Sequence, residues 1–238
     1  QTFQPATEGV LTVATSLPAP GFWEGDDPDH LTGGFEYELA RRLADRWDLE
    51  LRVIDVPFDD LATGDLHGAD LAMSQITITD ERRGHMTFST PYYHDDDGAV
   101  LAAGEQLTDL KTAKERLWGA IDDSTQLDLL VDVIRPDDEP VPFADTEAAI
   151  EAVASGQVDA ALLDLATALV ATSDRDDVTT GGRIVVVDGD MAAAMPTDSP
   201  NRDVVDAAIR SLTSDRTIAT LVDEHLVPRF ERAPDSIP

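Results

Sequence analysis

The residues best suited to chemistry lie in one stretch, residues 69–93, ADLAMSQITITDERRGHMTFSTPYY. Leu71-Ala72-Met73 is a short apolar run behind the turn-like His67-Gly68 and predicts a buried strand. After Ser74, the polar side chains of Gln75, Thr77 and Thr79 alternate with Ile76 and Ile78, so an amide and hydroxyls stand where a strand leaves its sheet. Thr79 can then cap a helical turn through Asp80, Glu81 and Arg82. Hydroxyls at a strand's carboxyl end and an arginine in the first helical turn supply the donors that hold a small anion. The chemistry on offer is capture of a carboxylate.

Such a group must be positioned by a sheet, and the flanking pattern supplies one. Residues 10–15 (VLTVAT) alternate around Leu11 and Val13 and predict the first strand, which ends in the turn-rich Leu17-Pro18-Ala19-Pro20-Gly21. Phe22 and Trp23 follow, as a pocket wall or as anchors of the loop over the core. Phe35, Leu39, Leu43 and Trp47 recur every fourth residue and predict a helix with one apolar stripe. A strand over 49–56, a helix over 58–66 and the strand over 69–74 complete a strand–helix alternation that calls for a parallel sheet with right-handed crossovers. Residues 99–103 are extended, and the pattern then restarts. Strands are predicted over 117–121, 159–163 and 184–187, helices over 126–134, 146–154 and 165–172, and a turn-rich link over 136–142. From Met191 a short strand (191–195) and two helices (204–212 and 218–226) read as a return to the first set, with Thr213-Ser214-Asp215 capping the second helix. The expected division is therefore a lobe of residues 10–97 with 192–238, a second lobe of 98–191, and an N-terminal tether of residues 1–9. The crossings are expected at 98–103 and 192–196.

The 238 residues suffice for two lobes of about 100 residues, each with its own core. No run approaches the roughly 18 to 20 apolar residues of a membrane-spanning helix. There is no cysteine, hence no disulfide and no thiolate metal site. A formal charge of −31 excludes a phosphate-backbone partner, and Lys111 and Lys114 are the sole lysines. That surface suits high ionic strength, where the Debye length shrinks to about 3 Å at 1 M salt. The acidic clusters at Gly25-Asp26-Asp27-Pro28-Asp29 and His94-Asp95-Asp96-Asp97-Gly98 lack the alternating spacing of a calcium loop, so no metal site is expected at either. Gln1 is neither an initiator methionine nor the start of an apolar leader, which predicts a processed chain.

Asp70-Leu71, Ser74, Thr77-Ile78-Thr79, Glu81-Arg82 and Phe88-Ser89-Thr90-Pro91-Tyr92-Tyr93 fall in the order of a motif of polar amino-acid-binding proteins of ABC importers. The chain resembles these family 3 extracellular solute-binding proteins from about Leu11 to His225. The resemblance implies a two-lobed α/β fold of the type II periplasmic-binding-protein kind, whose lobes, joined by two hinge crossings, close on a zwitterion in the cleft between them. It implies that Arg82 and Thr77 hold the ligand α-carboxylate with Ser124 and Thr125 from the second lobe. There Asp123 stands where the family has glycine. Asp164, in a Val158-Asp159-Ala160 context, is implied as acceptor of the α-ammonium, against the ordinary reading of a helix N-cap. The Gln75 carbonyl is the implied second acceptor. Ala19 occupies the family's stacking position, which would pass to Phe22 or Trp23, and Phe58 falls at a second aromatic wall. Ser16 stands where binders of basic amino acids often carry aspartate. The family's closing helix pair usually has glycine at the position of Arg216. A monomer outside the cytoplasm, secreted or lipid-anchored and delivering to a membrane permease, completes the implied picture.

Two other classes fit the same pattern. Dehydratases acting on prephenate-like acids share the fold and would need a general acid, for which Glu24, His94 or Asp122 are candidates. A receptor's sensor domain would bind the same ligand. No Ser–His–Asp, HExxH or glycine-rich phosphate motif is present, so neither catalysis nor a cofactor is expected.

Overall fold

The computed structural model describes residues 2–226 and 233–237. The chain divides into two compact units, residues 1–94 with 188–226, and residues 95–187 with 227–238.

Unit 1 holds strands β1 (Val10–Thr15), β2 (Glu50–Asp55), β3 (Leu71–Ala72), β4 (Met86–Phe88) and β5 (Tyr93–His94), with helices α1 (Phe35–Arg46), α2 (Phe58–Thr63) and α3 (Asp80–Arg83) between them. Its main sheet runs β2-β1-β3 and is parallel there, as the βα pattern requires. The stripe that predicted α1 is real, since Phe35, Leu39 and Leu43 are fully buried. Gly34 enters the helix at φ 110°, and a side chain there would meet the Phe22 carbonyl oxygen at 2.3 Å. On the face of β1 that carries Ala14, a core of Val56, Leu61, Leu66, Ile76 and Phe88 closes the sheet.

Unit 2 holds β6 (Asp97–Ala102), α4 (Leu110–Lys114), β7 (Trp118–Ile121), α5 (Thr125–Leu129), β8 (Val141–Phe143), α6 (Thr146–Ala154), β9 (Ala160–Asp164), α7 (Leu165–Thr172) and β10 (Val178–Ile184). Its sheet order is β10-β6-β9-β7-β8. Alternate residues of each strand enter opposite cores: Leu101 and Leu162 pack with Trp118 and Leu130, whereas Val100, Ala161 and Leu163 pack with Ile150 and Val153. The chain returns to unit 1 as β11 (Asp190–Met191), β12 (Ala194–Pro196), α8 (Arg202–Ser214) and α9 (Thr217–His225).

Several expectations need correction. The sheets are mixed: β12 runs antiparallel to β3 and β4, and β6 antiparallel to β9 and β10. The strand expected over 184–187 lies instead over 178–184, where the backbone packs so tightly that a Cβ on Gly181 would meet Glu105 O at 2.5 Å; Val185 and Val187 are exposed. The 136–142 link runs into the edge strand β8, and the helix expected over 126–134 is α5 followed by a π-turn over Leu130–Ile134. The capping oxygens expected before α9 supply no N-cap bond; its N-cap is Arg216 at φ 66°, in the left-handed region that favours glycine, although Asp215 Oδ1 accepts the Thr217 N–H at 3.0 Å.

Residues 1–9 are no loose tether: Phe3 is buried against Trp47, ring centroids 4.3 Å apart, and Gln4 exchanges hydrogen bonds with Asn201. The unit boundaries fall at 94/95 and 187/188 rather than at 97/98 and 191/192, because Asp97 already pairs in β6 and β11 pairs with β5. The C-terminal end, expected in the first lobe, lies with unit 2 where it is described, since Ser236 bridges Arg183 and the Ile237 N–H bonds its carbonyl at 2.9 Å. Residues 227–232 of that expectation lie outside the described residues.

Candidate functional site

In unit 1 the stretch that opens after β3 is held from both sides. The return strand stitches it through a Thr77–Met191 bridge, with Ile78 N donating to Asp190 O at 2.8 Å and Ala192 N to Ile76 O at 3.2 Å. Thr79 caps α3, its Oγ1 accepting the Arg82 N–H at 3.1 Å. Arg82 is buried; its Nη1 donates to Thr77 O at 3.0 Å, and its guanidinium carbon lies 5.6 Å from the centre of the Phe58 ring. Arg82, Thr77 and Phe58, separated in sequence by as much as twenty-four positions, thus converge, with a pre-oriented guanidinium as their centre. Gln75 adopts φ 51°, and its N–H donates to Glu36 Oε1 at 2.9 Å.

Glu36 was not singled out in the sequence, yet it organises this half. Wholly buried, it accepts from Tyr92 OH at 2.5 Å, from Trp23 Nε1 at 2.9 Å and from the Gln75 backbone. Burial raises its carboxyl above the ordinary range, while those donors work against the rise. Its signal was available as a glutamate one position after Phe35, inside an apolar stripe.

Phe22 and Trp23 are corrected as pocket walls. Both are fully buried in unit 1, Phe22 edge-on to Phe35 and Tyr93, Trp23 donating to Glu36 and to Met73 O at 3.0 Å. Of the two readings open for them, loop anchor is the one seen. Ala19 is buried as well, bridged to Trp23. A pocket of about 310 Å³ beside this stretch is lined by Ile78, Thr79, Asp80, Arg83, Pro91, Asp188 and Asp190. Neither Arg82 nor Thr77 lines it.

In unit 2, Ser124 caps α5, its Oγ accepting from Leu127 N at 3.2 Å, and Thr125 begins that helix. Asp123 stands at φ 55°, in the left-handed region that favours glycine; aspartate tolerates it better than most residues. Asp164 occupies the N-cap position of α7 but makes no capping bond with its side chain. That bond comes from Asp95, whose Oδ2 accepts the Ala166 N–H at 2.9 Å. The Asp164 carboxylate accepts instead from Gln126 Nε2 at 3.1 Å, which joins the end of β9 to the start of α5 and so brings Asp164 beside Ser124 and Thr125. Gln126 Nε2 also donates to Asp97 Oδ1 at 2.7 Å. Asp95 and Asp97 are buried, and burial pushes the carboxyl of each up to about 7. Asp95, Asp97 and Gln126 had not been read as site residues, because nothing in their spacing distinguishes them from a solvated acidic loop and a helix face.

Among the described residues no cluster of histidines and carboxylates is arranged to hold a metal ion, and no helix is long and apolar enough to cross a membrane.

The chain is similar to known proteins in sequence and in fold. The profile of a family described as bacterial extracellular solute-binding proteins, family 3, matches residues 11–228. The L-cystine-binding protein TcyJ of Escherichia coli K12 is 33% identical over 172 residues, which cover 68% of this chain and 61% of that protein. The match thus spans about three fifths of this curated relative. The crystal structure of the amino acid ABC transporter substrate-binding protein AbpA of Streptococcus pneumoniae bound to L-arginine superposes with a TM-score of 0.78 at 25% identity, covering 94% of this chain and 98% of that one. An ancestral arginine-binding protein bound to arginine gives a TM-score of 0.81 at 22% identity, covering 92% and 98%.

Proposed function

The chain belongs to the bacterial extracellular solute-binding proteins, family 3, with the α/β fold of the type II periplasmic binding proteins, and on that premise we propose that it captures an amino acid outside the cytoplasm and delivers it to an ABC importer. The observation that carries this reading is the buried Arg82 guanidinium of unit 1, held by the Thr77 carbonyl oxygen. Unit 1 presents a buried guanidinium aimed by Thr77, suited to an α-carboxylate. Unit 2 presents a carboxylate relieved of its capping duty, suited to an α-ammonium. Ser124 and Thr125 at the start of α5 add donors for the carboxylate, Phe58 borders the guanidinium, and the Gln75 carbonyl is offered as a second acceptor for the ammonium.

The ligand class takes support from relatives whose names specify cystine and arginine. Ser16 argues against a basic side chain, and its own N–H is taken by Ser74 Oγ at 3.0 Å. Delivery to a permease, a monomeric state and anchoring at the cell surface belong to the same proposal. The dehydratase reading draws no support from the geometry: Glu24 accepts from Gly21 N, His94 pairs with Asp190, and Asp122 accepts from Asp123 N.

Asp164→Asn keeps size and hydrogen bonding but removes the charge. Calorimetry should show amino-acid affinity falling at least about tenfold while the matching keto acid binds as before. Equal binding of the amino acid by variant and parent would reduce Asp164 to a structural residue and remove the ammonium half of the proposal.

A further inference from the structure

The carboxamide of Gln126 is shared. Its Nε2 carries two hydrogens and donates to Asp97 at 2.7 Å and to Asp164 at 3.1 Å. Asp97 and Asp164 are register partners across β6 and β9, so one amide spans two carboxylates that face each other at the ends of neighbouring strands. Gln126 and Asp97 are both more than nine-tenths buried, which makes the link a fixed part of unit 2 rather than a surface encounter.

We propose that Gln126 and Asp97 are positioning residues of the ammonium half-site: Gln126 holds the Asp164 carboxylate, and Asp97 releases one proton to solvent when an amino acid binds. The inference rests on Asp164 being the ammonium acceptor.

Of the two buried carboxyls, Asp95 and Asp97, it is Asp97 that is the register partner of Asp164. On its own strand entry, Asp96 is paired with Arg183 of β10, with Nη2–Oδ2 at 2.6 Å, and also accepts from Val186 N. Asp95 takes backbone N–H groups from Ala166, at the start of α7, and from Asp96. Asp164 faces Asp97 from β9, and Gln126 from α5 brings no charge. Arg183 is thus engaged by Asp96, and the polar partner of Asp97 is the neutral amide. Burial, with the Asp96 charge added, holds its carboxyl near 7, so it stays largely protonated in mildly acidic solution. An ammonium arriving at Asp164 places positive charge one strand away and favours the ionised form. The proton passes to the buffer, and by linkage affinity rises with pH up to the value of the unliganded carboxyl, at most tenfold per unit by which binding lowers it.

The test uses the full chain at high salt and whichever of the standard amino acids and L-cystine most raises its melting temperature. Calorimetry in buffers of different ionisation heat should show release approaching one proton per amino acid bound near pH 6 and fading by pH 8, with affinity increasing several-fold from pH 6 to pH 7 and levelling off above. Asp97→Asn, or Asp97→Ser should the first not fold, should bind without proton release and with a flat pH profile. Gln126→Met should weaken the amino acid about tenfold while leaving its keto acid unaffected, which loss of structure alone would not do. Proton release that persists in the Asp97 variants, or an equal loss of amino acid and keto acid in Gln126→Met, overturns the inference. A weakened Asp164→Asn alongside either of those results overturns this inference alone. An unaffected Asp164→Asn, or no amino acid that binds, removes the proposed function, and the inference falls with it.

Discussion

Each unit contains a buried carboxylate, Glu36 in unit 1 and Asp97 in unit 2, and the two are treated differently. Glu36 in unit 1 is surrounded by donors from an indole, a phenol and a backbone amide. Asp97 in unit 2 has a single amide and lies among other aspartates. A buried charge is tolerated when its lone pairs are filled and avoided when they are not. The first arrangement makes a scaffold that fixes the Gln75 backbone by its N–H. The second leaves a group whose charge is set by what comes near it.

The most damaging way to break the contrast is to empty its saturated side. Glu36→Ala strands the Tyr92 hydroxyl in the core and leaves the Trp23 indole only the Met73 carbonyl, and denaturant unfolding should register a loss of about 3–5 kcal/mol. A loss below about 1 kcal/mol would show that water replaces the carboxylate and that the scaffold role is wrong. Next comes Arg82→Lys, which keeps the charge but loses the planar fork held over Phe58. Amino-acid affinity should drop by about 2–5 kcal/mol, with little change in melting temperature. Near-parent affinity would mean that a point charge suffices there.

The unsaturated side is sharpened by pH. Asp95 and Asp97, raised to about 7 in the folded protein, titrate near 3.9 when unfolded, so between these values the native state holds more protons than the unfolded chain. Their contribution to stability is fully present below the unfolded value and is lost as pH rises through about 7, by up to about 1.4 kcal/mol per group per unit. Denaturation at constant high salt should therefore give stability that falls from pH 5 to pH 8, with a shallower slope in Asp97→Asn. An unchanged slope in that variant would assign the titration elsewhere. The smallest effect concerns both units alike: with a formal charge of −31, melting temperature should climb between about 0.1 and 3 M monovalent salt as screening tightens. A flat response would count against adaptation to salt.

How far the sequence could be read follows from how each part is built. Residues 70–93 were legible because one continuous segment carries strand end, cap and arginine, and local rules govern each of them. The unit 2 half depends on an amide meeting a carboxylate thirty-eight positions away, which no local pattern reports. Asp164 shows the limit most plainly. Its position is that of an N-cap, yet Asp95, distant in sequence, takes the bond. Phe22 and Trp23 illustrate the converse, since adjacent aromatics after a strand end give no sign of which face they turn to, and here the Glu36 carboxylate and the Phe35 ring draw them into the core. The strand over 178–184 was hidden because glycine and threonine fill it while the neighbouring valines invite the wrong assignment; backbone crowding, not side-chain hydrophobicity, selects it.

The two described ends of the chain are fastened to different units, Phe3 and Gln4 to unit 1 and Ser236 and Ile237 to unit 2. A donor fluorophore fused ahead of Phe3 and an acceptor fused beyond Ile237 would therefore each ride on its own unit. Their energy-transfer efficiency would act as an optical ruler between the units, read while amino acid is added and without altering a residue of either half-site.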